Sequence, residues 1–208
     1  MIDWNQHLAW ANWLRSAACV AVAYVIGSFT TGYYLVRLRT HKDIRELGSG
    51  SAGARNVGRI LGKAGFILTV LGDFAKGALA VWLAQWCSPG DFTPALAVAA
   101  VVAGHLWPLQ LRFRGGKGIT TSLGALLVFD YRLALTLAAL FAVIFVFTRK
   151  SLLPTMFAFI CLPIVCWFFI RDNFTIAVTT VLSAAILFAH RRNLGEEFSA
   201  LKSEPPKL

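Results

Sequence analysis

Acidic residues are scarce in this sequence, and charge of either sign is rare. Only 14% of its 208 residues are charged, and 10 Asp and Glu stand against 20 Lys and Arg, which gives a formal net charge of +10. A chain with so little charge and 57% hydrophobic residues does not have the composition of a soluble domain. The composition predicts an integral membrane protein whose basic loops face anionic lipid headgroups or an anionic substrate, rather than nucleic acid.

Cysteine chemistry and a cleavable leader are also missing. The four cysteines lie mostly inside apolar runs, and their positions match no metal-ligand spacing. Met1–Trp13 lacks the basic segment of a secretory signal, and the apolar run after it is longer than such a signal needs. We therefore expect packing cysteines, no metal and no cofactor, and a first apolar segment that is retained as a membrane span.

No nucleotide-binding loop fits the sequence either. Gly48–Gly53 has the glycine spacing of G-x-G-x-x-G and of a Walker loop, but no strand of a βαβ unit precedes it. Ala54 and Arg55 follow where a Walker loop continues with Gly-Lys-Ser/Thr, and Lys117 is followed by glycine. These departures exclude a P-loop NTPase.

Long apolar segments dominate the chain. About 20 apolar residues cross a bilayer as a helix, and the fourth of seven candidate segments is short enough to be a half-span or re-entrant segment. The sequence therefore predicts an all-α integral membrane protein of about seven transmembrane helices, with one domain at residues 1–197 and a short, disordered cytoplasmic tail at residues 198–208. The predicted spans are Leu14–Leu38, Ala64–Trp86, Pro94–Leu111, Ile119–Phe129, Leu133–Phe147, Leu152–Ile170 and Phe174–Ala189.

The distribution of basic residues predicts the orientation. Seven crossings place most of the 20 Lys and Arg on one side of the membrane, and basic residues collect in cytoplasmic loops. We expect the N-terminus outside and the C-terminus in the cytoplasm, with the polar clusters on the cytoplasmic face.

The first of three polar clusters, Gly48–Arg59, is called here the first loop. It contains four glycines, two serines, an asparagine and two arginines in twelve residues. Glycines allow backbone N–H groups to approach a ligand, and guanidinium groups match the oxygens of a phosphate. The composition predicts a loop that holds a phosphate.

The second cluster extends from Gly104 to Ser122 and includes Gly115–Gly118, called here the glycine-lysine segment. A lysine among three glycines precedes a predicted helix start, and a helix N-terminus beside a cation binds phosphate. The alternative is a positive-inside anchor with glycines in a tight turn.

Histidines and an intramembrane ion pair complete the candidates. His190 precedes Arg191, Arg192 and Asn193 in the third cluster, and it either interacts with a helix dipole or orients a hydroxyl or phosphate. For His105 the alternatives are such a role or packing within its span. Asp73 and Lys76 share one helix face, which favours a structural pair lining the site over direct catalysis.

These motifs together resemble the bacterial acyl-phosphate:glycerol-3-phosphate acyltransferases over nearly the whole chain. The likeness includes the seven spans, three cytoplasmic motifs in the same order, and the stretch Leu71–Gly77. This chain departs from the family at Ser51, Arg55, Arg114 and Arg192. The positions that match the family's motifs are Ser49, Gly50, Gly53, Asn56 and Arg59, then Gly104, His105 and Pro108, then Gly115, Gly116, Lys117, Gly118 and Thr121, and finally His190 and Asn193.

The resemblance implies transfer of a fatty acyl group from acyl phosphate to the 1-hydroxyl of sn-glycerol 3-phosphate in the bacterial cytoplasmic (inner) membrane. The products would be lysophosphatidic acid and inorganic phosphate, with neither a metal nor acyl-CoA. Catalytic roles are expected for Ser49, His190 and Asn193. Phosphate binding is expected for Asn56, Arg59, Lys117, Thr121 and the glycines at 50, 53, 115, 116 and 118, supported by His105, Asp73 and Lys76.

Two other interpretations stay open at this point. A basic, glycine-rich site between spans would also suit a transporter of a small organic phosphate, although polar residues at the membrane midplane are typical of transporters and here they gather at one face. A paralogous acyltransferase with a different donor or acceptor would share the same motifs.

Overall fold

The computed structural model describes residues 4–88 and 92–203, and within them all regular structure is helical. The chain forms two compact units, Met1–Ala134 and Leu135–Leu208, which are described separately. The predicted single domain at residues 1–197 stays a prediction. The helices are α1 (Trp4–Ser28), α2 (Thr31–Thr40), α3 (Ala54–Cys87), α4 (Thr93–Leu106), α5 (Ile119–Phe129), α6 (Tyr131–Thr148), α7 (Leu152–Phe169) and α8 (Asn173–Ser203), with 3₁₀ turns at Ile44–Glu46 and Leu109–Leu111.

Each predicted span contains an apolar helix, and the all-α membrane fold is confirmed. The fourth span coincides with α5, whose 11 residues reach only about half of a ~30 Å hydrocarbon core. Six stretches of the described chain are long and apolar enough to cross a membrane: Trp10–Thr40, Ala54–Cys87, Thr93–Leu111, Tyr131–Thr148, Leu152–Phe169 and Asn173–Gly195.

The first span is two helices rather than the single helix expected for Leu14–Leu38. The chain leaves the helix at Phe29 and Thr30, and backbone groups released in a membrane need other partners. Gln110 Nε2 donates to Ser28 O, and Lys76 Nζ donates to Phe29 O at 2.8 Å. Side chains from distant parts of the sequence therefore stabilise this break.

Helix α3 begins ten residues earlier than predicted and is interrupted once. Its first residue is Ala54, and Gly62 leaves the helical conformation with φ 70° and ψ −165°. Positive φ of this kind is accessible to glycine at low cost. The interruption separates the part of α3 that follows the first loop from the long apolar part.

Glycines allow the helices of the first unit to approach closely, as small residues do in membrane proteins. A Cβ at Gly77 of α3 would lie 2.2 Å from Thr121 O of α5, and one at Gly124 of α5 would lie 2.1 Å from Phe74 O. On α4, a Cβ at Gly104 would lie 2.2 Å from Tyr24 O of α1. Larger side chains would force these helix pairs apart.

The second unit contains α7 and α8, which are joined through a buried hydroxyl. Ser183 Oγ donates to Phe159 O at 2.6 Å. Helix α8 is longer than the predicted seventh span and continues to Ser203, so the first part of the predicted disordered tail is helical. The remainder, residues 204–208, lies outside the described residues.

Candidate active site

Internal hydrogen bonds fix the backbone of the first loop. Gly48 and Gly50 have φ of +57° and +70°, a region that favours glycine. The N–H of Gly50 donates to Leu47 O at 3.0 Å, and the N–H of Gly53 donates to Ser51 Oγ at 3.3 Å. The predicted phosphate cradle of loop amides would therefore have to use other N–H groups, because these already donate within the protein.

The Asn56 side chain is the centre of this loop. Its Oδ1 accepts from Ser49 N at 2.9 Å, and its Nδ2 donates to Leu47 O at 2.9 Å and to Ser51 O at 3.0 Å. Both amide hydrogens are used, and the residue is 2% exposed. The geometry gives Asn56 a loop-shaping role, whereas the sequence predicted direct contact with phosphate.

Ser49, Arg55 and Arg59 are exposed, unlike Asn56. The two arginines are four residues apart at the start of α3 and so share one helix face. This face presents two guanidinium groups near the helix N-terminus, which suits an anion.

The glycine-lysine segment is built onto the end of α4. Gly115 N donates to Leu106 O at 3.1 Å, and Gly116 N donates to His105 O at 3.0 Å. Gly118 has φ of +82° and is the N-cap of α5. The segment therefore leads Lys117 directly into the N-terminus of α5.

The first loop and the glycine-lysine segment meet. Ala52 N donates to Gly115 O at 3.5 Å. Arg45 Nη1 donates to Leu111 O at 2.7 Å, and Asp43 Oδ1 accepts from Arg45 Nε at 2.9 Å. The hydrogen bond from the Arg45 side chain holds the pKa of Asp43 below its ordinary value. The Asp-x-Arg spacing in a loop is a sequence signal for such a pair, although Arg45 is not among the predicted site residues.

A buried ionisable cluster lies beneath the glycine-lysine segment. Lys76 Nζ is 2.9 Å from Asp73 Oδ1 and 2.7 Å from His105 Nδ1. All three residues are at most 6% exposed. The predicted pair of Asp73 and Lys76 is present, and His105 joins it as a third member. A Cβ at Gly116 would lie 2.1 Å from His105 Nε2, so the imidazole is directly against the segment.

Thr121 is buried at a helix contact, and its predicted role in phosphate binding stays a prediction. It is 0% exposed, and its carbonyl packs against Gly77 at the contact between α3 and α5. Its hydroxyl is buried without a hydrogen-bond partner among the residues that the structure describes. Burial at a helix contact favours a packing role for Thr121.

The third cluster lies in the second unit, so its predicted convergence with the other two stays a prediction. His190 is 3% exposed, and its Nδ1 is 2.8 Å from Ile186 O. Because a carbonyl oxygen only accepts, Nδ1 carries the proton and Nε2 of the neutral ring has the lone pair. Arg191 packs over the Phe188 ring at 3.9 Å, while Asn193 is half-buried.

Among residues 4–88 and 92–203, no group of three or more His, Cys, Asp and Glu could hold a metal ion. The candidate site is therefore a set of cations, amides and hydroxyls. Such groups bind anions and orient polar substrates.

Comparison with known proteins identifies relatives over most of the chain. The family model described as glycerol-3-phosphate acyltransferase matches residues 17–200. Glycerol-3-phosphate acyltransferase 1 of Desulfitobacterium hafniense (strain Y51) is 45% identical over 174 residues, which cover 84% of this chain and 86% of that protein. Glycerol-3-phosphate acyltransferase of Laribacter hongkongensis (strain HLHK9) is 38% identical over 185 residues, which cover 87% and 92%.

Solved structures give the same result. The crystal structure of PlsY (YgiH), an integral membrane glycerol 3-phosphate acyltransferase, in its glycerol 3-phosphate form superposes with a TM-score of 0.82 at 30% identity. The match covers 89% of this chain and 92% of that one. The lysophosphatidic acid form of the same protein gives a TM-score of 0.80 at 29% identity.

Proposed function

This chain belongs to the glycerol-3-phosphate acyltransferase family, and we propose that it transfers a fatty acyl group from acyl phosphate to the 1-hydroxyl of sn-glycerol 3-phosphate. The products are lysophosphatidic acid and inorganic phosphate. The family predicted from the motifs is confirmed, and so are the classes of enzyme and fold: a multi-pass integral membrane acyltransferase that uses glycerol 3-phosphate. Family membership also decides against the transporter interpretation.

The observation that carries the proposal is the meeting of the first loop with the glycine-lysine segment. The hydrogen bond from Ala52 N to Gly115 O joins two glycine-rich, cationic segments in one unit. Both proposed substrates carry a phosphate, so the reaction needs two adjacent anion sites. This pair of segments supplies cations for both.

We assign one substrate to each segment. Ser49 and Arg59, exposed on the first loop, bind the phosphate of the acyl phosphate, and Asn56 shapes the loop around them. Lys117, at the N-terminus of α5, binds the phosphate of glycerol 3-phosphate, where the helix N-terminus also favours an anion.

The chemistry requires alignment more than activation, because acyl phosphate is already an activated mixed anhydride. The 1-hydroxyl oxygen attacks the carbonyl carbon, and the bond from that carbon to the phosphate oxygen breaks. The departing phosphate accepts the hydroxyl proton, which balances charge without a protein base. Alignment of the two reactants lowers the barrier, and nearby donors stabilise the charge that develops on the carbonyl oxygen.

Catalytic roles for His190 and Asn193 of the third cluster remain part of this proposal. His190 donates through Nδ1 to Ile186 O, and histidine is a residue type that orients a hydroxyl or a phosphate. Asn193 lies one helical turn later on the same helix, α8. The positive-inside distribution supports a cytoplasmic face for all three clusters and a C-terminus in the cytoplasm of a bacterium's inner membrane.

The test is a choice between acyl donors. Purified protein in detergent micelles is incubated with glycerol 3-phosphate and either palmitoyl phosphate or palmitoyl-CoA, and lysophosphatidic acid and inorganic phosphate are quantified. We expect equal amounts of both products from palmitoyl phosphate and no lysophosphatidic acid from palmitoyl-CoA. Product from palmitoyl-CoA alone would identify a paralogue with another donor, and no product from either would refute the proposal.

A further inference from the structure

The buried cluster of Asp73, Lys76 and His105 has no task in the reaction described above. Ionisable side chains within membrane-spanning helices are costly and occur mainly where they serve a function. Here the three groups lie on α3 and α4 at exposures of 3%, 6% and 2%. Their geometry connects three parts of the first unit.

Lys76 has three donors, and the structure supplies three acceptors. Nζ lies 2.9 Å from Asp73 Oδ1, 2.8 Å from Phe29 O and 2.7 Å from His105 Nδ1. An ammonium group has no lone pair, so Lys76 donates to Phe29 O and His105 Nδ1, and it forms an ion pair with Asp73. Lys76 therefore neutralises a carboxylate, satisfies the helix break in the first span and determines the protonation of His105.

The contact with Lys76 fixes which nitrogen of His105 carries the proton. Because Nδ1 accepts from Lys76, the neutral ring carries its proton on Nε2. A Cβ at Gly116 would lie 2.1 Å from Nε2 and 2.6 Å from Cε1, so this edge of the ring supports Gly116. The backbone of His105 also binds Gly116, since His105 O accepts from Gly116 N at 3.0 Å.

We propose that Lys76 is a positioning residue for the acceptor substrate, acting through His105 on Gly116 and so on the placement of Lys117. This inference rests on the proposed function, because it assigns the glycine-lysine segment to glycerol 3-phosphate. Lys76 is buried, and the proposal assigns it to neither substrate. Its loss lets the imidazole rotate, and the segment loses the surface that holds its backbone beneath the phosphate.

The test separates the Lys76 to His105 contact from the ion pair. In Lys76→Met the contact is lost and Asp73 is left buried without a counter-charge, which also destabilises the fold. In Asp73→Asn the charge is lost, but the hydrogen bonds of Lys76 to Phe29 O and His105 are kept. The double variant D73N/K76M removes both charges and the contact without leaving an unpaired carboxylate.

We expect the KM for glycerol 3-phosphate to rise about 10-fold in K76M and in D73N/K76M, as a small misplacement of a binding group would cause. In D73N it stays within about threefold of wild type, and the KM for palmitoyl phosphate stays within about threefold in all three variants. A purely structural ion pair instead predicts that D73N is as damaging as K76M and that the KM values of both substrates change alike. The double variant D130N/R132M, which removes an ion pair at the surface of the same unit, is the matched control and should leave both KM values unchanged.

Several results would overturn this inference. They are an equal rise in D73N and K76M, a wild-type KM for glycerol 3-phosphate in D73N/K76M, or failure of both Lys76 variants to fold as judged by thermal unfolding in detergent. A wild-type protein without transferase activity would instead refute the proposed function, so the two failures are distinguishable.

Discussion

The first loop and the glycine-lysine segment belong to the same unit, but their shapes are maintained in different ways. In the first loop, Asn56 is itself part of the loop and bonds to three backbone groups at most nine residues away. The glycine-lysine segment rests on His105, whose ring is bound by Lys76, 29 residues earlier in the chain. One segment is organised locally, and the other depends on the packing of α3 and α4.

The two segments should therefore be sensitive to substitutions in different parts of the first unit. We expect substrate binding at the first loop to be impaired mainly by substitutions within the loop. Binding at the glycine-lysine segment should also be impaired by substitutions in the membrane interior. Substitutions in each segment test this difference, and the largest effect is expected in the first loop.

Asn56→Leu is the most direct test of the local organisation of the first loop. The substitution keeps the approximate size of the side chain and removes its hydrogen bonds. Three hydrogen bonds are lost at a buried position, at about 1 kcal/mol or more each, and each 1.4 kcal/mol corresponds to about tenfold. We expect kcat/KM for acyl transfer to fall by about 100-fold or more. Asn56→Asp keeps the acceptor for Ser49 N but loses both donors, so it should be intermediate. An Asn56→Leu enzyme within threefold of wild type would show that the loop does not need this side chain.

Gly116→Ala tests whether the glycine-lysine segment depends on His105. The added Cβ would lie 2.1 Å from His105 Nε2, so the ring or the segment must move. We expect the KM for glycerol 3-phosphate to rise about 10-fold while the KM for acyl phosphate stays unchanged. Gly195→Ala is the control, because a Cβ there meets nothing within 4 Å. Equal effects of Gly116→Ala and Gly195→Ala on the KM for glycerol 3-phosphate would show that His105 does not position the glycine-lysine segment.

The connection between the two regions is tested by Arg45→Met. This variant loses the 2.7 Å donation to Leu111 O, which ties the turn before the first loop to the turn before the glycine-lysine segment. We expect both KM values to rise by about threefold, since a single hydrogen bond from a charged group is lost at a partly exposed site. Arg39→Met, at an exposed position in the last turn of α2, is the control. A change in only one KM would show that Arg45 serves one substrate site alone.

The smallest effect is the pH dependence of the Asp43 and Arg45 pair. Hydrogen bonds from Arg45 lower the pKa of Asp43, so the stabilisation is complete above the ordinary Asp pKa of about 4 and is lost as the pH falls below that value, through the lowered pKa. For a pair this near the surface the contribution is below about 1 kcal/mol. Thermal unfolding between pH 3 and 6 should show a smaller decrease in Asp43→Asn than in wild type. Identical pH profiles would mean that the pair does not stabilise the fold.

Hydropathy predicts the spans well, because membrane helices need apolar length and little else. The span Ile119–Phe129 matches α5 residue for residue, and Leu152–Ile170 differs from α7 by one residue. Ser49 and Arg59 are exposed on the first loop, where a phosphate site needs them. Their roles, like those of His190 and Asn193, stay predictions.

The features that the sequence did not predict depend on which partner a side chain meets in the folded chain, whether that partner is distant or within the same loop. Neither Phe29 nor Thr30 is a proline or a glycine, the residues that usually indicate a break in a helix. Hydrogen bonds from Lys76 and Gln110 stabilise this break. Asn56 is a residue type that can bind phosphate, but its side-chain amide forms hydrogen bonds with the backbone of its own loop. Periodicity and residue type report local preference, and these contacts are set by packing.

The central claim is that the first loop binds the acyl donor and the glycine-lysine segment binds the acceptor. It is tested most directly by measuring both KM values in Arg59→Ala and Lys117→Ala. The account predicts that Arg59→Ala raises the KM for palmitoyl phosphate alone by about 10-fold or more, and that Lys117→Ala does the same for glycerol 3-phosphate alone. A rise in the same KM in both variants would contradict it.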